Sequence, residues 1–194
     1  MFDFITKGFS KLMGGSKSER DVKEIQPFVD EILRVYPTLS TLTNDELRNK
    51  TVEFRARISE YTKDEDTEIS SLKAEAETPD IDIDEQEKLF NRIDELHKKA
   101  VKKIEEVLEE ILPEAFAVVK ETARRFTENK ELVVTATEHD RNLAVKKPNI
   151  VINGDKAIWA NTWNAAGLEV TWNMIHYDVQ LIGGIVLHHG NISE

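Results

Sequence analysis

Leu89, Ile93, Leu96, Ala100, Ile104, Val107 and Ile111 recur at three- and four-residue steps. So regular a stripe fits only a long helix whose seam is covered by a partner helix, from this chain or from another. The pattern predicts a helix over about 84–112. Pro113 then fits the first turn of a further helix ending near Phe126, with Phe116, Val119 and Ala123 as its apolar face. Before the stripe, residues 62–87 are acidic and poor in large apolar groups, which predicts a linker or solvated excursion with a short helix around 70–77.

Two more helices precede that stretch. Val22, Ile25, Val29, Ile32 and Val35 form an apolar stripe over about 20–35, where Pro27 predicts a kink or a restart. Thr43 and Glu46 have capping-box spacing, and Leu42 and Leu47 sit where a hydrophobic staple places them. Residues 1–13 carry Phe2, Phe4, Ile5, Phe9, Leu12 and Met13 around Lys7 and Lys11. A helix of that kind suits either a membrane interface or a dock on its own protein.

From Thr127 the character changes. Leu132–Thr137 is β-rich, Asn153-Gly154 marks a hairpin between 150–152 and 157–159, and 168–172 alternates as a third strand. This reads as a small antiparallel insertion over 127–173 that holds Trp159, Trp163 and Trp172. Packing a small sheet explains these tryptophans more cheaply than a binding platform does. Residues 174–194 are apolar at helical spacing, with Gly183-Gly184 permitting close backbone approach and no helix stop signal before the chain ends.

Composition narrows the function. The net charge is −11, and residues 60–110 hold 18 acidic against 8 basic groups, a local net of −10. Such a chain lacks the basic face that phosphate neutralisation on nucleic acid requires. The absence of cysteine removes disulfides and thiolate chemistry. His97, His139, His176, His188 and His189 show no metal-ligand spacing, so no metal site is expected. The phosphate-binding Gly-x-x-x-x-Gly-Lys-Ser/Thr loop and the other catalytic motifs are missing, so no catalytic residue is assigned.

Three blocks carry a resemblance. Leu42-Thr43-Asn44-Asp45-Glu46-Leu47, continuing to Lys50-Thr51-Val52-Glu53-Phe54-Arg55-Ala56-Arg57, resembles an early segment of the SecA family, the ATP-driven motors of bacterial preprotein translocation. Leu112-Pro113-Glu114-Ala115-Phe116-Ala117-Val118-Val119 is similar to the next family block, and 174–194 to a third that leads into the P-loop. The resemblance implies an N-terminal piece of such a motor. The fold would be mainly α with a small antiparallel β insertion, forming the opening part of an α/β RecA-like (P-loop) nucleotide-binding domain. The parts would be an amphipathic tail (1–17), a helical part (18–126) with an acidic insertion at about 60–110, the β-rich insertion (127–173) and a Q-motif helix (174–194).

By the same resemblance, Gln180, Tyr177, Met174 and His176 would contact the adenine of ATP, with Mg²⁺ held elsewhere in the full-length protein. Ile175 departs from the family's usual arginine. Phe2, Phe4, Lys7, Phe9 and Lys11 would touch acidic phospholipids. The other implied partners are a SecY-type channel and preproteins, with no nucleic acid; a homodimer stays open. The location would be cytoplasmic, peripheral on the inner face of the plasma membrane. The alternative is a free-standing helical interaction module that uses the 89–111 helix.

Overall fold

A computed structural model describes residues 17–79 and 81–193. The five tail residues Phe2, Phe4, Lys7, Phe9 and Lys11 lie outside them. The chain is mainly α-helical, with helices α1 (Lys17–Val35), α2 (Asn44–Ala76), α3 (Ile83–Glu128), α4 (Glu138–Ala144) and α5 (Asp178–His188). Its strands are β1 (Glu131–Thr135), β2 (Ile150–Asn153), β3 (Lys156–Ala160), β4 (Thr162–Ala165) and β5 (Leu168–Thr171). Two compact units result: Arg48–Ala115, and Met1–Leu47 together with Phe116–Glu194.

The 48–115 unit is an antiparallel helical hairpin. Its pairings descend on one helix as they climb on the other: Lys50 and Arg57 with Glu114, Glu65 with Lys99 and Lys103, and Glu68 with Arg92. The 89–111 stripe therefore finds its partner within this chain. Ile93 and Leu96 are buried in a cluster with Ile69 and Leu72, which removes the free seam that an interaction module would need.

Helix α2 runs unbroken to Ala76, so the short helix expected around 70–77 is the end of a longer one, and 62–69 is helix rather than linker. The seam positions of α2 hold Thr62, Glu65, Ile69 and Ala76, all buried, and two of these four are polar. A hydropathy pattern cannot see such a seam. Glu65 is 2% exposed and accepts from Lys99 Nζ at 2.8 Å and Lys103 Nζ at 2.7 Å. The two ammonium groups hold its carboxyl down at about 2, against an ordinary 4.5. A depressed carboxylate contributes stability that is complete above the unfolded pKa and drains as pH falls through the folded one. The helicity of this hairpin should therefore weaken between about pH 4.5 and pH 2. Circular dichroism would show Glu65→Gln flattening that slope. A slope equal to the parent's would refute the assignment.

Both prolines lie inside continuous helices. Pro113 does not restart a helix, because α3 runs unbroken from Ile83 to Glu128. Pro27 lies within α1. An interior proline costs about 3 kcal/mol. Here buried neighbours on either side offset it: Ile111, Leu112 and Ala117 around Pro113, and Ile25, Val29 and Ile32 around Pro27.

The other unit contains α1, a 3-10 turn (Tyr36–Thr41), the first turn of α2, the end of α3, the sheets and α5. The expected capping box is present: Thr43 N–H and Oγ1 donate to Glu46 Oε2 at 2.7 and 2.8 Å, and Glu46 N–H returns to Thr43 Oγ1 at 3.2 Å. The last turns of α3 bury only part of the face that hydropathy selects: Ala123 is buried and Phe116 half-buried, but Val119 is not. Val119 is 56% exposed, whereas Lys120, Glu121 and Arg125 are buried beside Ala117 and Ala123. Glu121 accepts from Arg124 at 2.7 Å and Arg125 at 2.8 Å. Burial alone would raise the Glu121 carboxyl, but hydrogen bonds from both arginines hold it low.

The three-stranded sheet has the order β1-β3-β2, all antiparallel, with Val134 and Ile152 both opposite Ala157. Gly154, at φ 60°, turns β2 into β3, in keeping with the Asn153-Gly154 signal. Strand β5 does not join that sheet. It pairs with β4 in a separate hairpin whose turn places Ala166 (φ 53°) and Gly167 (φ 89°) in the left-handed region. The outer edge of β1 is met by side chains from the start of α2. Asn44 Nδ2 donates to Val133 O at 3.1 Å, and Asp45 accepts from Thr135 N–H and Oγ1 at 2.8 Å each.

Helix α4 is not among the expected elements, although Thr137-x-x-Asp140 announces it. Thr137 N–H and Oγ1 donate to Asp140 Oδ2 at 2.8 and 2.7 Å, and Trp159 Nε1 donates to the other carboxylate oxygen at 3.2 Å. Helix α5, contrary to expectation, does have a stop signal. Gly190 takes φ 73°, Gly190 N–H donates to Leu187 O, and Asn191 N–H donates to Val186 O, both at 3.0 Å. This is a Schellman motif.

Candidate nucleotide-binding site

Residues 172–177 run from the end of β5 to the start of α5 without regular secondary structure. Buried backbone carbonyls there need partners from elsewhere. Met174 O accepts from Trp172 Nε1 at 2.8 Å and from Thr127 Oγ1 at 3.1 Å. His176 O accepts from Lys120 Nζ. The last turns of α3 thus supply donors at two points along the segment. Trp172 Nε1 also lies 3.2 Å from Ala123 O, so this tryptophan helps fasten the segment to α3.

At the N-terminus of α5, Gln180 folds back on the residue that precedes the helix. Its Oε1 accepts from Tyr177 N–H at 2.8 Å, and its Nε2 lies 3.6 Å from Met174 Sδ. Met174, Tyr177 and Gln180 therefore form one local cluster. Tyr177 as a residue is 73% exposed beside it. His176 stands apart from them in its polar contacts, and its Nδ1 is buried without a hydrogen-bond partner. The helix is Asp178–His188, shorter than the 174–194 expected, so Met174, His176 and Tyr177 lie in the extended lead-in.

Chemically, the cluster presents an amide with spare capacity, an open aromatic face and a soft thioether. The amide oxygen has a second lone pair, and the NH₂ meets only a weak sulfur acceptor. Such a set suits the edge and face of a flat heteroaromatic ring. Sequence reasoning names the four residues but misses Lys120, Thr127 and the indole of Trp172. A buried lysine carries no motif, and its contact with residue 176 spans a large sequence separation.

Comparison with known proteins gives the family. Residues 9–194 match the family model described as the SecA DEAD-like domain, and the chain belongs to that family. It is 50% identical over 191 residues to the protein translocase subunit SecA of Phocaeicola vulgatus, covering 96% of this chain and 17% of that protein. It is 54% identical over 184 residues to the subunit of the same name from Flavobacterium psychrophilum, covering 95% and 16%. With the Parabacteroides distasonis subunit the figures are 49% over 192 residues, 99% and 16%. The chain thus spans about a sixth of the length of these curated relatives. No solved structure matches. No helix among the described residues is long and apolar enough to cross a membrane.

Proposed function

We propose that this chain is the N-terminal part of an ATP-driven motor that pushes unfolded preproteins through a SecY-type membrane channel. Within it, the chain contributes the adenine-binding Q motif of a RecA-like nucleotide-binding domain, and a tail that meets acidic phospholipids. The motor sits at the inner face of the plasma membrane. The observation that carries the reading is the convergence of Met174, Tyr177 and Gln180 at the start of α5.

The residues present fit an adenine ring. Gln180 Oε1 can accept a second hydrogen bond from the exocyclic amine while Nε2 donates to the neighbouring ring nitrogen. The bond from Tyr177 N–H orients that amide in advance. The exposed Tyr177 ring offers a face for stacking, and the Met174 thioether beside Gln180 offers a soft contact for a ring edge. His176 Nδ1, buried and unpaired, has hydrogen-bonding capacity left for a ligand group. ATP with Mg²⁺ supplies the free energy of phosphoryl transfer when bound in the full-length motor.

The sequence holds no phosphate-binding lysine loop, and phosphoryl transfer depends on phosphate cradling and metal placement. The purified 194-residue chain should therefore show no ATP turnover above a buffer blank in a phosphate-release assay. In the full-length subunit, Gln180→Ala should weaken ATP binding and narrow the preference for ATP over GTP. An unchanged preference would remove the adenine reading. For the tail, Lys7 and Lys11 among Phe2, Phe4 and Phe9 suit an anionic interface. Deletion of residues 1–13 should reduce co-sedimentation with anionic liposomes, and equal binding without them would count against that role.

A further inference from the structure

We propose that Lys120 is the positioning residue of the adenine-reading segment. It acts from α3 through the His176 carbonyl to set where Met174, Tyr177 and Gln180 stand. The proposal rests on the adenine reading above and assigns a residue that no motif marks.

Lys120 is 8% exposed, an unusual place for an ammonium group. A buried lysine needs compensation, and two partners provide it: the carbonyl oxygen of His176 and the ring of Tyr36, whose centroid lies 5.5 Å from Nζ. Tyr36 opens the 3-10 turn after α1, so the ammonium is clamped between a fixed ring and the backbone of the lead-in. One residue beyond the bonded carbonyl stands Tyr177, whose N–H orients the Gln180 amide. The chain of contacts runs Tyr36, Lys120, His176 O, Tyr177 N–H, Gln180 Oε1.

Thr127 and Trp172 act in parallel on Met174, two residues upstream. Backbone bonds pin residues 172–177 only at their ends, Trp172 N–H to Asn161 O and Leu181 N–H to Tyr177 O, so between them these side-chain donors set the path. A binding site left about 1 Å loose loses affinity and selectivity out of proportion to the contact removed. The polar partner of Lys120 in this segment is the His176 carbonyl, so its effect would come through backbone placement.

The test uses the full-length translocase subunit and compares KM for ATP, kcat at saturating ATP, and the ATP-over-GTP preference. Lys120→Met keeps the aliphatic stem and removes the charge, and Lys120→Arg keeps a donor. The expected result is that Lys120→Met raises KM for ATP about tenfold and narrows the base preference. Its kcat stays within about twofold, and Lys120→Arg retains most of both properties. Gln180→Ala, run alongside, separates the two claims. If Gln180→Ala loses base preference while Lys120→Met keeps it, the positioning role is wrong and the adenine reading stands. If Gln180→Ala keeps it, the adenine reading is wrong and this proposal falls with it. A kcat loss with unchanged KM would also overturn the proposal. Should Lys120→Met fail to fold by circular dichroism, Tyr36→Leu, which removes the ring that holds the ammonium, supplies the comparison, and an unchanged KM and base preference there would overturn the proposal.

Discussion

Arg125→Ala should be a severely damaging single substitution in this chain, costing about 3–5 kcal/mol. The guanidinium is buried at the end of α3 and spends its donors in three directions. Nε binds Glu121 Oε1 at 2.8 Å, one terminal nitrogen binds Asn44 Oδ1 at 2.8 Å, and the other binds Leu39 O at 3.1 Å and Leu42 O at 2.7 Å. It thereby ties the 3-10 turn and the start of α2 to α3. Alanine would strand the Leu42 carbonyl and the Asn44 amide oxygen, would leave Leu39 O only the Leu42 N–H at 3.2 Å, and would leave the buried Glu121 carboxylate to its ion pair with Arg124. Groups deprived of partners in this way bear the full desolvation penalty. Melting of the unit should fall by roughly 10 °C or more, read by near-ultraviolet circular dichroism. Arg125→Lys should recover part of this, because an ammonium cannot reproduce the planar fork. A melting temperature for Arg125→Ala within about 2 °C of the parent would show that the network does not hold the turn.

The second large effect separates two adjacent glycines. A Cβ at Gly184 would sit 2.6 Å from Phe116 Cε1 and 3.1 Å from Cζ, so helix α5 approaches α3 closely at that point. Gly184→Val should cost about 2–3 kcal/mol through overpacking, more than the roughly 1 kcal/mol that leaving glycine returns in helix propensity. Gly183 faces a softer obstacle, Ser193 Oγ at 3.1 Å, on an exposed side chain that can move. Gly183→Ala should therefore be neutral, or stabilising by up to about 1 kcal/mol. Thermal melts of the single variants and of Gly184→Ala combined with Phe116→Leu would test this. Equal behaviour at 183 and 184 would contradict the packing.

Much of this architecture is legible in short-range sequence signals. The 89–111 stripe, the Thr43–Glu46 capping box and the Asn153-Gly154 turn are all local, and each has its counterpart in the fold. What escapes has a common cause. Glu65, Lys120, Glu121 and Arg125 are buried charges, and hydropathy patterns assign charge to solvent. Such patterns therefore make 62–87 a linker or solvated excursion with only a short helix around 70–77, whereas the helix runs unbroken through 62–76, and they make Val119 a core position although it is exposed. The order β1-β3-β2 is hidden for another reason: strand pairing across long separations depends on tertiary context. Family resemblance picks out Gln180, Tyr177 and Met174, and the structure adds how they touch. The residues that hold their backbone have no signature in sequence.

The contact of Asn44 and Asp45 with β1 has a bearing on how this protein behaves in a crowd. An open strand edge is a template on which a second chain can build, and short sheets are prone to such growth. Here the exposed row of β1 is occupied by two side chains that imitate a neighbouring strand, one giving a hydrogen bond and one taking two. The same few residues that start a long helix thus close a polymerisation site. Their removal would be felt first as aggregation on standing, before any loss of fold.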